Sequence, residues 1–257
     1  LYLIKCNIKE NIMSKKPIIG ISSSVIVDDS GNFSLNIDHT ESVSGTCGNT
    51  MEKMKNALLI SASSYQDTGY LRHCKNWVKD FLGESGKEEI LFIPYAGVRR
   101  SNDEYEQKVI DRLKNKNIKS IHHYEDKISA IKNANSIAVG GGNTFMLLYT
   151  LYKLNLIEPI KEAVANGAKY FGWSAGANIA GKTMMTTNDM PIIMPKSFDS
   201  LNIFPYQINP HFISGKLAGH NGESREERLE EFLIANPKET IYALPEGTAL
   251  LIAGSEA

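Results

Sequence analysis

The sequence predicts an α/β domain built on a mainly parallel sheet, preceded by a segment of different character. Two observations carry that prediction. From residue 54 onward, strand-like apolar runs alternate with amphipathic helical stretches, and residues of unusual type gather where the strands end, which is where such sheets hold ligands. At 257 residues the chain is long enough to bury one sizeable core, and a single large domain is expected.

Taken in order, residues 57–61 read as the first strand. Leu71, Cys74, Val78 and Phe81 then recur at helical spacing, giving a first helix with one buried stripe. Residues 90–93 are a second strand, and Tyr105, Val109 and Leu113 mark a second helix. Residues 118–121 and 136–139 supply two more strands, 169–172 a fifth, and 240–244 a late one. Residues 1–53 differ: they hold one strand-like run, Ile18-Ile19-Gly20-Ile21, followed by a stretch rich in Ser, Asp, Gly and Asn with no helical period. Little packed structure is expected there, and 1–53 is read as an extension outside the α/β domain, 54–257.

Composition narrows the function. Hydrophobic residues at 42% and charged residues at 22% exclude wholesale disorder and fibrous repeats. With 28 Lys and Arg against 29 Asp and Glu, and no basic block, nucleic acid is not an expected partner. The cysteines Cys6, Cys47 and Cys74 are odd in number and form no CxxC pair, which argues against a disulfide framework and a zinc site and for a reducing compartment. No apolar run approaches the roughly 18–20 residues needed to span a bilayer. A cytoplasmic protein with no membrane partner is therefore expected.

The strand at 169–172 runs into Gly172-Trp173-Ser174-Ala175-Gly176, a G-x-S-x-G sequence followed by small residues that can open a helix. A serine on such a strand-to-helix turn projects above the sheet, next to free helix amides. Gly140-Gly141-Gly142-Asn143-Thr144 follows the preceding strand, and its glycines let backbone approach a ligand. Together they predict Ser174 as nucleophile, with the amides of Gly142 and Ala175 as oxyanion hole. A serine hydroxyl needs a base, and His211, stiffened by the proline in Asn209-Pro210-His211, is the best placed of the six histidines; His39, His73, His122 and His123 read as packing or surface residues. Two acids compete to orient it. Asp189 lies in a loop ended by Pro191, and Glu246 projects from the end of the strand at 240–244; geometry favours Glu246, with Asp189 left to bind a substrate amine or support the site.

Five blocks then carry a family likeness: Gly140-Gly141-Gly142-Asn143-Thr144-Phe145, Gly172 to Asn178, Thr186-Thr187-Asn188-Asp189-Met190-Pro191, Gln207-Ile208-Asn209-Pro210-His211-Phe212 and Leu244-Pro245-Glu246-Gly247. In order and spacing they resemble peptidase E, whose members cleave dipeptides that begin with aspartate. The resemblance implies a three-layer α/β/α sandwich of the class I glutamine amidotransferase type, with a serine where those relatives carry cysteine. It implies Ser174 and His211 as nucleophile and base, Asp189 or Glu246 as third member, and a small Asp-X peptide as substrate, with no metal or cofactor. Asn143 and Arg225 are expected to contact substrate. Arg225 opens a helix capped by Ser224 and Glu227, where a cation opposes the helix dipole, so a grip on the aspartyl carboxylate would justify it. Family members continue past the Leu-Pro-Glu-Gly block, so a shortened C-terminus is expected. The rival readings are a cyanophycinase-like hydrolase of β-Asp-Arg, an α/β-hydrolase esterase, and a non-catalytic ligand-binding module.

Overall fold

The computed structural model describes residues 18–20, 24–27, 32–36, 44–46, 56–216, 219 and 221–252. Its strands are β1 (Ile18–Gly20), β2 (Ser24–Val27), β3 (Asn32–Asn36), β4 (Ser44–Thr46), β5 (Ala57–Ile60), β6 (Ile90–Ile93), β7 (Ile118–Ser120), β8 (Ser136–Val139), β9 (Lys169–Trp173), β10 (Gln207–Phe212), β11 (Ile241–Pro245) and β12 (Ala249–Ile252). The helices are α1 (Lys75–Leu82), α2 (Asn102–Leu113), α3 (Lys127–Lys132), α4 (Thr144–Lys153), α5 (Ile157–Ala165), α6 (Ala175–Asn178) and α7 (Arg225–Ala235). The six predicted strands all form. The first helix starts later than its apolar spacing suggests, because Leu71 sits at φ 55° in a turn, and the buried Leu71 and Cys74 precede Lys75.

The larger sheet, among the described residues, has the order β4-β3-β2-β12-β5-β9-β8-β6-β7. Its centre, β5-β9-β8-β6-β7, is parallel throughout, and β12 joins β5 antiparallel. Side chains alternate across this centre as the pleat requires. Leu59, Leu91, Ile93, Ile137 and Val139 face one core with Leu147, Leu148 and Leu151 of α4 and Ile160 of α5. Leu58, Ile60, Ile90, Phe92 and Ala138 face the other with Val78 of α1 and Tyr105 and Val109 of α2. Helices on both faces of a mostly parallel sheet make the three-layer sandwich, and each such buried aliphatic side chain contributes about 1.5–3 kcal/mol.

A second sheet, β1-β11-β10, is parallel, and α7 packs Leu229 and Leu233 against Ile241 and Ala243 of β11. Four strands fall within residues 1–53, where the sequence suggests one. β1 extends the smaller sheet beside β11, and β2, rich in β-branched residues, pairs with β12 and leads the antiparallel β2-β3-β4.

Candidate active site

The carboxyl ends of β8, β9, β10 and β11 converge on one place. β9 ends at Trp173 and α6 begins at Ala175, so Ser174 alone makes the turn, at φ 54° and ψ −113°. A non-glycine residue in that region is strained by about 1–3 kcal/mol, which the surroundings must hold in place. They do so by hydrogen bonding at both ends: Ser174 N–H donates to Ile60 O at 3.0 Å, and the Ser174 carbonyl accepts from the amides of Ala177 and Asn178. Gly176 is required by close packing, since a Cβ there would lie 2.2 Å from Val139 O.

His211 is aimed by a bulge. β10 pairs with β11 in register through Asn209, then slips so that Phe212 opposes Pro245. Pro210 has no N–H to donate, and His211 takes φ 55°, which turns its ring out of the pleat. Its amide donates to Ser61 Oγ at 3.0 Å, and that hydroxyl donates to Leu244 O at 2.7 Å. Ser61, buried at the end of β5, thus ties the bulge to β11. The sequence marked Ser61 only as a strand end; no local signal reveals a partner 150 residues away.

With these backbones fixed, Ser174 Oγ lies 2.9 Å from His211 Nε2, and Glu246 Oε1 lies 2.6 Å from His211 Nδ1. His211 and Glu246 are partly open to solvent, with side chains 36% and 46% exposed, so a substrate can reach them. Gly247, just after Glu246, is at φ 80° against the Tyr65 ring. The two acids left open by the sequence separate in space: the Asp189 carboxylate accepts from Thr144 N at 2.7 Å and Thr144 Oγ1 at 2.6 Å, at the N-terminus of α4. A carboxylate there complements the helix dipole.

The glycine loop after β8 runs beside the serine, because a Cβ on Gly141 would sit 3.0 Å from Ser174 Cβ. Gly142, at φ 144°, admits no side chain at all: its Cβ would meet Ala96 O at 2.1 Å. Gly140 and Asn143 use their amides within the fold, on Ile93 O and Ala96 O. The amides of Gly142 and Ala175 have no acceptor among the described residues. A buried chain braces this loop from behind, running from Trp173 Nε1–H to Tyr70 O–H, on to Tyr105 O–H and to Gly141 O, at 3.0, 3.0 and 2.7 Å. Burial raises both tyrosines above the ordinary phenol range, so they stay protonated donors. The spacing of Tyr105 suggested only a helix face; its hydroxyl role was invisible.

Asn143 and Arg225 are positioned by internal bonds. Asn143 caps α4, accepting from Met146 N at 3.0 Å and donating to Met190 O at 2.9 Å. Arg225 opens α7 behind the predicted capping box and donates to Asn188 Oδ1, while Asn188 Nδ2 donates to Pro210 O at 2.7 Å beside His211. Burial, then repulsion from Arg228, pull Arg225 below its ordinary pKa. It lines a cavity of about 230 Å³ with Ile213, Lys216, Ser224 and Arg228.

Comparison with known proteins gives the family of the chain. The model of peptidase family S51 matches residues 57–257. The chain belongs to peptidase family S51. That membership makes it a serine peptidase and bears out the likeness read from the five sequence blocks. Among its relatives, peptidase E of Pasteurella multocida is 58% identical over 79% of this chain and 88% of its own length. Peptidase E of Haemophilus influenzae Rd is 58% identical over 77% and 92%. A solved chain from Listeria monocytogenes EGD-e superposes with a TM-score of 0.57 at 23% identity, covering 79% of this chain and 96% of that one. A peptidase from an acI-B1 Actinobacterium gives 0.53 at 21%, covering 77% and 83%, and both share the fold.

Proposed function

We infer that this chain is a dipeptidase that hydrolyses peptides with an N-terminal aspartate through an acyl-enzyme. The observation that carries the reading is the relay from Ser174 Oγ through His211 to Glu246, 2.9 and 2.6 Å long, at the open ends of the strands. His211 Nε2 takes the serine proton as Oγ attacks the aspartyl carbonyl, and Glu246 holds the ring with Nδ1–H turned to it and stabilises the imidazolium. The amides of Gly142 and Ala175 receive the developing oxyanion. His211 then protonates the departing amine, the C–N bond breaks, and the acyl-serine remains. Water, deprotonated by the same histidine, releases aspartate and restores the hydroxyl.

Arg225 is the group assigned to the aspartyl side chain, since a guanidinium held beside the strand ends offers paired donors to a carboxylate. Asp189 keeps a supporting role, by holding α4 and the glycine loop that precedes it. A cytoplasmic location fits this reading. Burial pushes the Cys74 thiol up to about 12, which makes it an inert packing group. No helix among the described residues is long and apolar enough to cross a membrane.

Parallel assays on Asp-Leu and β-Asp-Arg test the substrate. Turnover of Asp-Leu with little of β-Asp-Arg is expected. The opposite preference would replace this reading with the cyanophycinase-like one, and no turnover of either would reject both.

A further inference from the structure

Outside the site just described, one cluster brings metal-ligating groups together on a different edge of the sheet. Asp103 lies in the first turn of α2 and Glu106 in the next residues, while His122 and His123 occupy the short turn after β7. The ligand atoms of Asp103, His122 and His123 all lie within 4.8 Å of one another. Asp103 Oδ1 is 2.9 Å from His122 Nε2 and 3.7 Å from His123 Nε2, and Glu106 Oε2 is 2.7 Å from His123 Nε2. Donors bound tetrahedrally at zinc distances stand about 3.3 Å apart, so closing this group of three around one ion takes shifts of up to about 1.5 Å.

The groups behind these ligands are those a metal site needs. The far nitrogen of His122, Nδ1, is 2.7 Å from the hydroxyl of the buried Ser120, which fixes the ring with Nε2 toward the carboxylates. The other oxygen of Glu106 accepts from Ser120 N, and Oε2 meets His123 Nε2. The two imidazoles come from adjacent residues with ring centroids 3.9 Å apart, and without a cation both must turn an Nε2 proton to the carboxylates. A divalent ion would take the place of those two protons and offset the carboxylate charge.

We propose that Asp103, His122 and His123 form a site for a divalent cation of the zinc class, with Glu106 paired to His123 beside it. Two imidazole nitrogens with a carboxylate oxygen suit zinc better than calcium or magnesium, and three protein ligands leave the fourth position to water. The ion would pin the start of α2 to the turn after β7. Tyr105, whose hydroxyl holds Gly141, lies on α2 between Asp103 and Glu106. The inference is independent of the peptidase reading.

The test uses the intact chain, stripped with a chelator and titrated with Zn²⁺ by calorimetry and with Co²⁺ by absorbance. One equivalent should bind with micromolar affinity or better, release protons, give the intense visible bands of tetrahedral cobalt, and raise the thermal midpoint by at least about 3 °C. His211→Ala should retain all of this, which separates the site from the serine relay. The double variant His122→Ala/His123→Ala should lose it. Asp103 is 75% exposed, so Asp103→Asn leaves the fold intact and should weaken binding at least about tenfold. No binding to the wild type, or undiminished binding to the double variant or to Asp103→Asn, would overturn the assignment.

Discussion

Two serines in this molecule sit beside a histidine that also meets a carboxylate, at almost the same distances. Ser174 Oγ is 2.9 Å from one nitrogen of His211 with Glu246 2.6 Å from the other. Ser120 Oγ is 2.7 Å from one nitrogen of His122 with Asp103 2.9 Å from the other. The backbones differ. Ser120 ends β7 in extended conformation, φ −78° and ψ 140°, and is fully buried. Ser174 is held in a strained turn at φ 54°, next to a glycine loop and amides without acceptors among the described residues. Pairwise distance therefore does not make a nucleophile. Presentation on a forced turn, with donors waiting for negative charge, does.

The largest way to sharpen that contrast is Ser174→Ala, which should lower kcat on Asp-Leu by about 10⁶ while leaving Ser120, His122 and Asp103 in place. Activity retained at even a hundredth of wild type would mean the wrong serine has been singled out. Next comes the choice of acid. Glu246→Gln should cost about 10⁴ in kcat, because the histidine loses its orienting charge. Asp189→Asn should leave kcat far less affected and lower stability by about 0.3–2 kcal/mol in urea, since what it loses is its charge at the start of α4. Equal losses from the two would break the assignment.

Gly142→Ala comes third. Its Cβ would collide with Ala96 O, and the strained φ adds to this, so the variant should lose about 2–5 kcal/mol of stability and some activity through a displaced oxyanion loop. The smallest effect belongs to the capping boxes of α2 and α7. Hydrogen bonds from Ser101 hold Glu104 below its ordinary pKa, and those from Ser224 do the same for Glu227. A depressed carboxylate stabilises the fold above its unfolded pKa and loses that contribution as pH falls through the folded one. Glu104→Gln and Glu227→Gln should therefore shift the urea midpoint slightly at about pH 6, with the difference from wild type vanishing in acid.

How much of this was legible depended on whether the cause was local. Gly172 to Gly176 announces its turn because the small Gly172, Ala175 and Gly176 surround a serine so placed, and Pro210, whose ring locks its φ, announces a stiffened backbone before His211. Glu246 was legible as the residue leaving a strand end, and geometry then preferred it to Asp189. What escaped the sequence was set by partners far along the chain: Ser61 holding the amide of His211, Tyr70 and Tyr105 bracing Gly141, and the carboxylate of Asp189 turning to Thr144. A tyrosine at helical spacing reads as packing, and nothing in its neighbours says where its hydroxyl goes. Likewise His122 and His123 read as surface residues until the fold brought Asp103 and Glu106 beside them.

The most direct measurement is the site of covalent labelling by a phosphonate reagent, mapped by peptide mass spectrometry. The account predicts a single adduct on Ser174, formed in step with loss of Asp-Leu hydrolysis, and no adduct in the Ser174→Ala variant even though Ser120 keeps its histidine and carboxylate. An adduct on any other serine that tracks the loss of activity, or full labelling of the variant, would contradict it.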